Sequence, residues 1–370
     1  MKNLLIGNGI NIQYGGKNYT NKEIIKRAIH NTRTRDINPD LYAIEILQLF
    51  EIMFKEFNNI INGKYDAFAL NNIEKSSLIN FKKRYAKIYK NLKIYDVGFE
   101  DHFLIFELFC RKNNVKNPEL YDFRGLLKRF ILDSIFNDGE IQNLHKLFPL
   151  KLKTFFNNFN NIFTTNYDKN LEIFIEKTII HLHGAFNVLD DVYNPDSFRN
   201  KLSDNPASET PVVKGYEYLF SNALISFSGK SKSNSVKNPS RANAGITKFA
   251  EGIKNNLSFH KKIEAWSKSD NNILKNLGEA ILLKDNDSSL SLNDYYSFKE
   301  FENMKGTLSI IGLSPFNDDH LFSKINCNRE IKSLNYYYFS NTEINSVSNL
   351  LKDKKDVSFI NVESLWSDLK

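Results

Sequence analysis

The sequence predicts an α/β protein built on a Rossmann-like, mostly parallel sheet with a large helical insertion. Two observations carry that prediction. Short runs rich in β-formers, Leu4–Ile6, Asn161–Thr165, Thr178–Leu182 and Thr307–Ile311, read as strands. Helical patterns alternate with them along the chain, and alternation of that kind favours a parallel sheet. One domain over residues 1–370 is expected, interrupted by helices at about residues 20–158.

The first strand ends in Gly7-Asn8-Gly9. Glycines there let a backbone approach a phosphate, and a tight structural turn is an equal reading. The dinucleotide fingerprint GxGxxG needs a third glycine at position 12, where Ile12 stands. Thr20 with Glu23 reads as a capping box that starts a helix near Asn21. Asp40–Ile61 is expected to be one long apolar helix, with Ile44, Leu47, Met53, Phe54 and Phe57 toward the core. Lys75–Leu92 is basic and amphipathic. Asn117-Pro118 reads as a cap followed by proline, opening a helix over Glu119–Phe136. Its apolar stripe is Phe123, Leu126, Leu127, Phe130 and Ile131, and the density of apolar residues here suggests contacts in a homo-oligomer.

Asn161–Gly184 reads as strand, turn, short helix, strand, with Asp168 able to cap the helix and Leu171, Phe174 and Ile175 on one face. Asn166 and His183 then fall just past the ends of two adjacent strands, where open α/β sheets bind ligands. An amide that orients water or a hydroxyl, beside an imidazole that takes a proton, suits hydrolysis. Asn166 could instead only close the turn. His181 and His183 would share a strand face, but no cysteine or carboxylate cluster completes a metal site, so no metal is expected. His181 reads as a satisfied core histidine.

Asn187–Pro211 loses periodicity and reads as loop. A basic, flexible loop is expected at about residues 228–246, with Lys230, Lys232, Lys237 and Arg241. It is either solvated or a lid over an anionic ligand. Gly229-Lys230-Ser231 lacks the earlier glycine of a Walker A loop, since position 224 is Leu224. After Thr307–Ile311 come Gly312-Leu313-Ser314 and Asp318-Asp319-His320, the aspartates of which could simply shape a loop. Leu334–Phe339 and Val357–Ile360 are further strands, with a helix near Glu343–Lys352 between them.

The net charge of +7 invites a nucleic-acid reading, although no basic block or RNA-binding aromatic motif accompanies it. Heavy use of Asn, Lys, Ile, Phe and Tyr, as in translations of AT-rich genomes, is the other account of that composition. No apolar run reaches the roughly 20 residues of a membrane span, and a cytoplasmic protein is expected. Cys110 and Cys327 form no CxxC pair and read as buried free thiols.

GNGIN at Gly7–Asn11, FTTNYD at Phe163–Asp168, HLHG at His181–Gly184 and IIGLS at Ile310–Ser314, in this order, resemble the sirtuin-like fold in its bacterial anti-phage-defence branch of NAD-hydrolysing proteins. The GNG start also resembles a related abortive-infection family. The resemblance implies that NAD is the substrate and that Asn166 and His183 are catalytic. It also implies cofactor contacts by Gly7, Asn8, Gly9, Asn11, Thr165, Asp168, Gly312 and Ser314. Asn8 stands where the family has a small residue and Asn11 where it has serine. Two cysteines cannot build the family's four-cysteine zinc ribbon, so the resemblance implies NAD cleavage and not peptide deacetylation. A partner ATPase or a phage-derived activator is implied in the same way.

Overall fold

The computed structural model describes residues 1–34, 38–43, 45–117, 119–202 and 212–370. Its sheet comprises β1 (Lys2–Ile6), β2 (Asn161–Thr164), β3 (Ile180–His181), β4 (Gly306–Ile311), β5 (Ile331–Tyr338) and β6 (Val357–Asn361). The order is β3-β2-β1-β4-β5-β6 and every neighbouring pair is parallel. This is the doubly wound order, whose direction reverses between β1 and β4; ligands in such sheets bind outside the carboxyl ends of the strands at that reversal. The inner strands are apolar because helices cover both faces. Leu5, Phe163, Leu308, Ile310 and Leu334 sit in one buried cluster.

The chain resolves into two compact units. The first comprises Met1–Phe186, Ala223–Lys232 and Tyr296–Lys370, and the second Asn187–Asn222 and Ser233–Tyr295. Nearly everything between β1 and β2 is helical, as expected for the insertion. Its central helix, Phe99–Lys112, is buried on almost all sides from Glu100 to Leu108, so other helices surround it. The long helix expected over Asp40–Ile61 breaks into Glu45–Lys55 and Phe57–Ile61. Leu47, Met53 and Phe57 are buried there as expected, Phe54 is half-buried, and Ile44 lies outside the described residues. Lys75–Leu92 becomes a helix over Asn72–Tyr85, capped by Asn71 and Glu74, followed by a separate 3-10 turn at Tyr89–Asn91. Glu119–Phe136 is helical, and Leu127, Phe130 and Ile131 of its stripe are buried while Phe123 faces outward; Pro118 lies outside the described residues. The Thr20 hydroxyl donates to the Lys17 carbonyl and Glu23 pairs with Lys26, in place of the expected capping box.

The second unit has its own small cores, one around Phe198, Ile246 and Ala280, another around Ile253, Ile263 and Ile281. Of the Asn187–Pro211 segment, the described part carries a 3-10 turn at Asp191–Tyr193 and a short helix at Phe198–Lys201; residues 203–211 lie outside the described residues. The basic loop expected at residues 228–246 is corrected: Gly229–Lys254 is one helix of 26 residues. Its inner positions run Gly229, Lys232, Val236, Pro239, Asn243, Ile246, Ala250, Ile253, spaced alternately three and four apart. The first half of that face holds glycine, lysine, proline and asparagine with Val236 as its one aliphatic side chain, so the helical period carried little hydrophobic signal. Among the described residues, no helix is long and apolar enough to cross a membrane.

Candidate functional site

At the carboxyl ends of β1 and β4 the two turns pack backbone against backbone. The Gly7 amide donates to the Ile311 carbonyl at 2.9 Å and the Gly9 amide to the Gly312 carbonyl at 3.0 Å. A Cβ on Gly7 would stand 2.5 Å from the Gly312 oxygen, and one on Gly9 2.5 Å from the Gly312 Cα, so neither position admits a side chain. Gly312 has φ +66°, which favours glycine as well.

The β2 end is tied to β1. Thr164 Oγ1 donates to the Ile6 carbonyl at 3.0 Å and accepts the Asn166 amide at 3.0 Å. The Asn166 side chain, 7% exposed, reaches the Gly7 carbonyl through Nδ2 at 3.4 Å. Asp168 accepts from Asn11 Nδ2 at 2.9 Å and from both nitrogens of Asn170, and Asn170 carries the bond pattern on to the Ile141 carbonyl. Burial pushes the Asp168 carboxyl up, while Asn11 and Asn170 hold it down. Asp168 therefore braces the turn into the helix Asn170–Ile175 from one residue ahead of the N-cap position, which Lys169 occupies.

The two histidines expected on one face diverge, because β3 ends at His181. His181 hydrogen-bonds the Asn166 carbonyl at 2.7 Å and Glu172 at 2.5 Å. Burial disfavours its charge, but Glu172 outweighs that and raises its pKa. It is a satisfied core histidine. His183, 2% exposed, lies past the strand and meets His320 with Nε2 to Nε2 at 3.1 Å, the rings stacked 14° apart with centroids at 5.1 Å. Asp318 Oδ1 is 3.9 Å from His183 Nε2 and 3.8 Å from Lys232 Nζ, and Lys232 also pairs with Glu100. Burial, Lys232 and His320 all push the His183 pKa well down, which keeps the imidazole neutral. Burial pushes the Glu100 carboxyl up to about 7 against the pull of Lys232. Burial also opposes the Lys232 charge, but Glu100 and Asp318 hold the ammonium protonated.

Of these groups, Glu100, Asn166, Asp168, His183, Lys232 and Asp318 line one cleft of about 600 Å³, within the range of small-molecule and cofactor sites. Of the residues expected at the site, Asn8, Gly9, Asn11, Thr165, Asn166, Asp168, His183, Gly312 and Ser314 line it. Gly7 is not among the lining residues; its amide is spent on β4. Tyr336, Tyr337, Phe339 and Trp366 line it as well, giving the cleft an aromatic component.

Four residues of the cluster were not singled out by the sequence as site residues. Lys232 stood in the basic run, and its place on an inner helix face is the signal that a three-four spacing count supplies. Asp318 and His320 follow a strand-end turn, the same positional signal that marked Asn166. Glu100 comes from the first turn of an insertion helix, and nothing local marks it. The chain matches no family model, no curated protein and no solved structure.

Proposed function

We propose that the protein hydrolyses the nicotinamide–ribose bond of NAD, releasing nicotinamide and ADP-ribose. The observation that carries this reading is the placement of Asn166 and His183 at the carboxyl ends of adjacent parallel strands, lining one cleft with the turns after β1 and β4. Fold alone does not assign an activity, so the weight rests on the polar groups in the cleft.

In this reading Asn166 positions a ribose hydroxyl or the attacking water. The water oxygen bonds the anomeric carbon as the carbon–nitrogen bond breaks, and the electron pair returns to the nicotinamide ring and neutralises it. His183, held neutral by burial, accepts the proton that the water loses. The transition state carries oxocarbenium-like positive charge, as in glycoside hydrolysis, and the carboxylate of Asp318, 3.9 Å from His183, favours that charge. Activation by a partner ATPase or a phage protein and a role in defence belong to the same proposal and rest on the motif resemblance, while self-association rests on the apolar density of the insertion helices.

The test is nicotinamide release from NAD by the purified chain, repeated with candidate activators. Turnover that His183→Ala abolishes while the variant still melts cooperatively supports the reading. Retained turnover in a folded His183→Ala variant refutes the assignment. NAD binding with no release under any condition makes the cleft a binding module instead.

A further inference from the structure

We infer that His183, Asp318 and His320 form a site for one divalent transition-metal ion of the zinc class, and that an ion bound there excludes His183 from proton transfer. The three residues are buried, and one ligand atom from each lies within 4.8 Å of the others. Zinc bonds imidazole nitrogen at about 2.0–2.1 Å and carboxylate oxygen at about 2.0–2.2 Å, so two ligands of a tetrahedral ion stand roughly 3.4 Å apart. The observed separations of 3.1 Å between the two Nε2 atoms and 3.9 Å from His183 Nε2 to Asp318 Oδ1 bracket that value. Two imidazole nitrogens this close require either a shared proton or a cation between them.

Charge points the same way. The buried cluster sets two carboxylates, Glu100 and Asp318, against the single ammonium of Lys232. Glu100 Oε2 is buried and has no hydrogen-bond partner among the described residues. Buried charge without compensation is costly, and a cation beside Asp318 would supply it. Asp318 carries lone pairs enough for both Lys232 and an ion. Two imidazoles with one carboxylate select zinc, cobalt or iron over calcium and magnesium, which prefer oxygen ligands. His183 and Asp318 line the cleft, so a fourth position would open toward it.

The second half of the inference rests on the proposed hydrolase activity. An ion on Nε2 leaves the proton of a neutral imidazole on Nδ1, and no ring nitrogen of His183 remains to accept another. Metal loading would therefore silence the hydrolase.

The test uses the full chain stripped with a chelator and titrated with Co²⁺, read by visible absorption, and with Zn²⁺ by equilibrium dialysis. One equivalent per chain is expected, with at least tenfold weaker binding in Asp318→Asn and in both His320→Ala and His320→Gln, and unchanged binding in His260→Ala. Circular dichroism and melting select the variants that fold. Absence of saturable binding to the native chain, or native-like binding by folded Asp318→Asn and His320→Gln, overturns the site. Nicotinamide release is measured separately with and without one equivalent of Zn²⁺. Turnover that zinc leaves unchanged overturns the exclusion. Absence of turnover in metal-free protein counts against the hydrolase reading and leaves the binding result standing.

Discussion

Lys232→Met is the sharpest test of how the cleft is held together. The side chain is 3% exposed and its ammonium pairs with Glu100 and stands 3.8 Å from Asp318. A charge pair near 4 Å is worth about 4 kcal/mol at an effective dielectric of 20. Methionine keeps most of the volume, so the loss is mainly electrostatic: two carboxylates remain buried without their cation. Removing one partner of a buried pair costs about 3–5 kcal/mol. For a unit of this size that corresponds to a fall in melting temperature of about 5–9 °C. The pH dependence has a definite sign. Glu100 is already raised to about 7 by burial, and losing Lys232 raises it further. A carboxyl whose folded pKa lies above its unfolded value costs stability at high pH and recovers it on protonation. The deficit of Lys232→Met should therefore shrink as pH falls from 8 toward 5. Adding Glu100→Gln should restore more than half of it. A single-variant loss under about 1 kcal/mol, or a double variant less stable than the single, refutes the electrostatic account.

Three other predictions follow from particular residues. Asn166→Asp should fold with little loss of stability yet cut nicotinamide release by roughly two orders of magnitude, the scale of lost positioning; melting and turnover on one preparation decide it. His102 is fully buried, donates to the Ile94 carbonyl, and is depressed by burial to about 4, so the native chain should lose stability as pH falls from about 6.5 to 4, by up to about 3 kcal/mol; the native slope minus that of His102→Gln measures it, and identical slopes refute it. Gly9→Ala should destabilise by about 1–3 kcal/mol in denaturant titration, because its Cβ would enter the Gly312 backbone.

The strands were legible because parallel strands covered on both faces read as continuous apolar runs; Leu4, Leu5 and Ile6 are all fully buried. Asn166 and His183 were legible because both follow such runs directly. The rest of the site depends on tertiary arrival. Lys232 reaches the cleft on a helix whose inner face is polar for its first half, and Glu100 reaches it from a helix inserted between β1 and β2. Lys232 is marked only by its three-four spacing, and Glu100 by nothing in its own neighbourhood. The second unit was hidden for a related reason: Phe198, Ile246 and Ala280 meet across long polar intervals, so no window of the chain contains its core.

The two positions at which the first turn departs from the sirtuin-like pattern turn out to be structural links with a chemical residue. Asn8 Nδ2 donates to the Tyr19 carbonyl at 2.9 Å, tying the start of the first helix to the 3-10 turn Gly16–Tyr19 that follows it. Asn11 Nδ2 donates to Asp168, joining that helix to the β2 end. The glycines around them are required by the contact between the β1 and β4 turns, so they need no phosphate to explain them. Weight shifts from the glycines to what the asparagines leave open. Asn11 lines the cleft, and its Oδ1 is buried with no donor among the described residues. A buried acceptor without a donor calls for water or ligand. Within the proposed reading, a ribose hydroxyl is a donor of the right kind. Asn11→Leu would then remove both the brace to Asp168 and that acceptor. Asn11→Asp would keep an acceptor but set two carboxylates against each other. A serine at this position retains a donor and acceptor in a smaller volume. The comparison of Asn11→Ser with the native chain therefore separates ligand affinity from the stability lost with the Asp168 link.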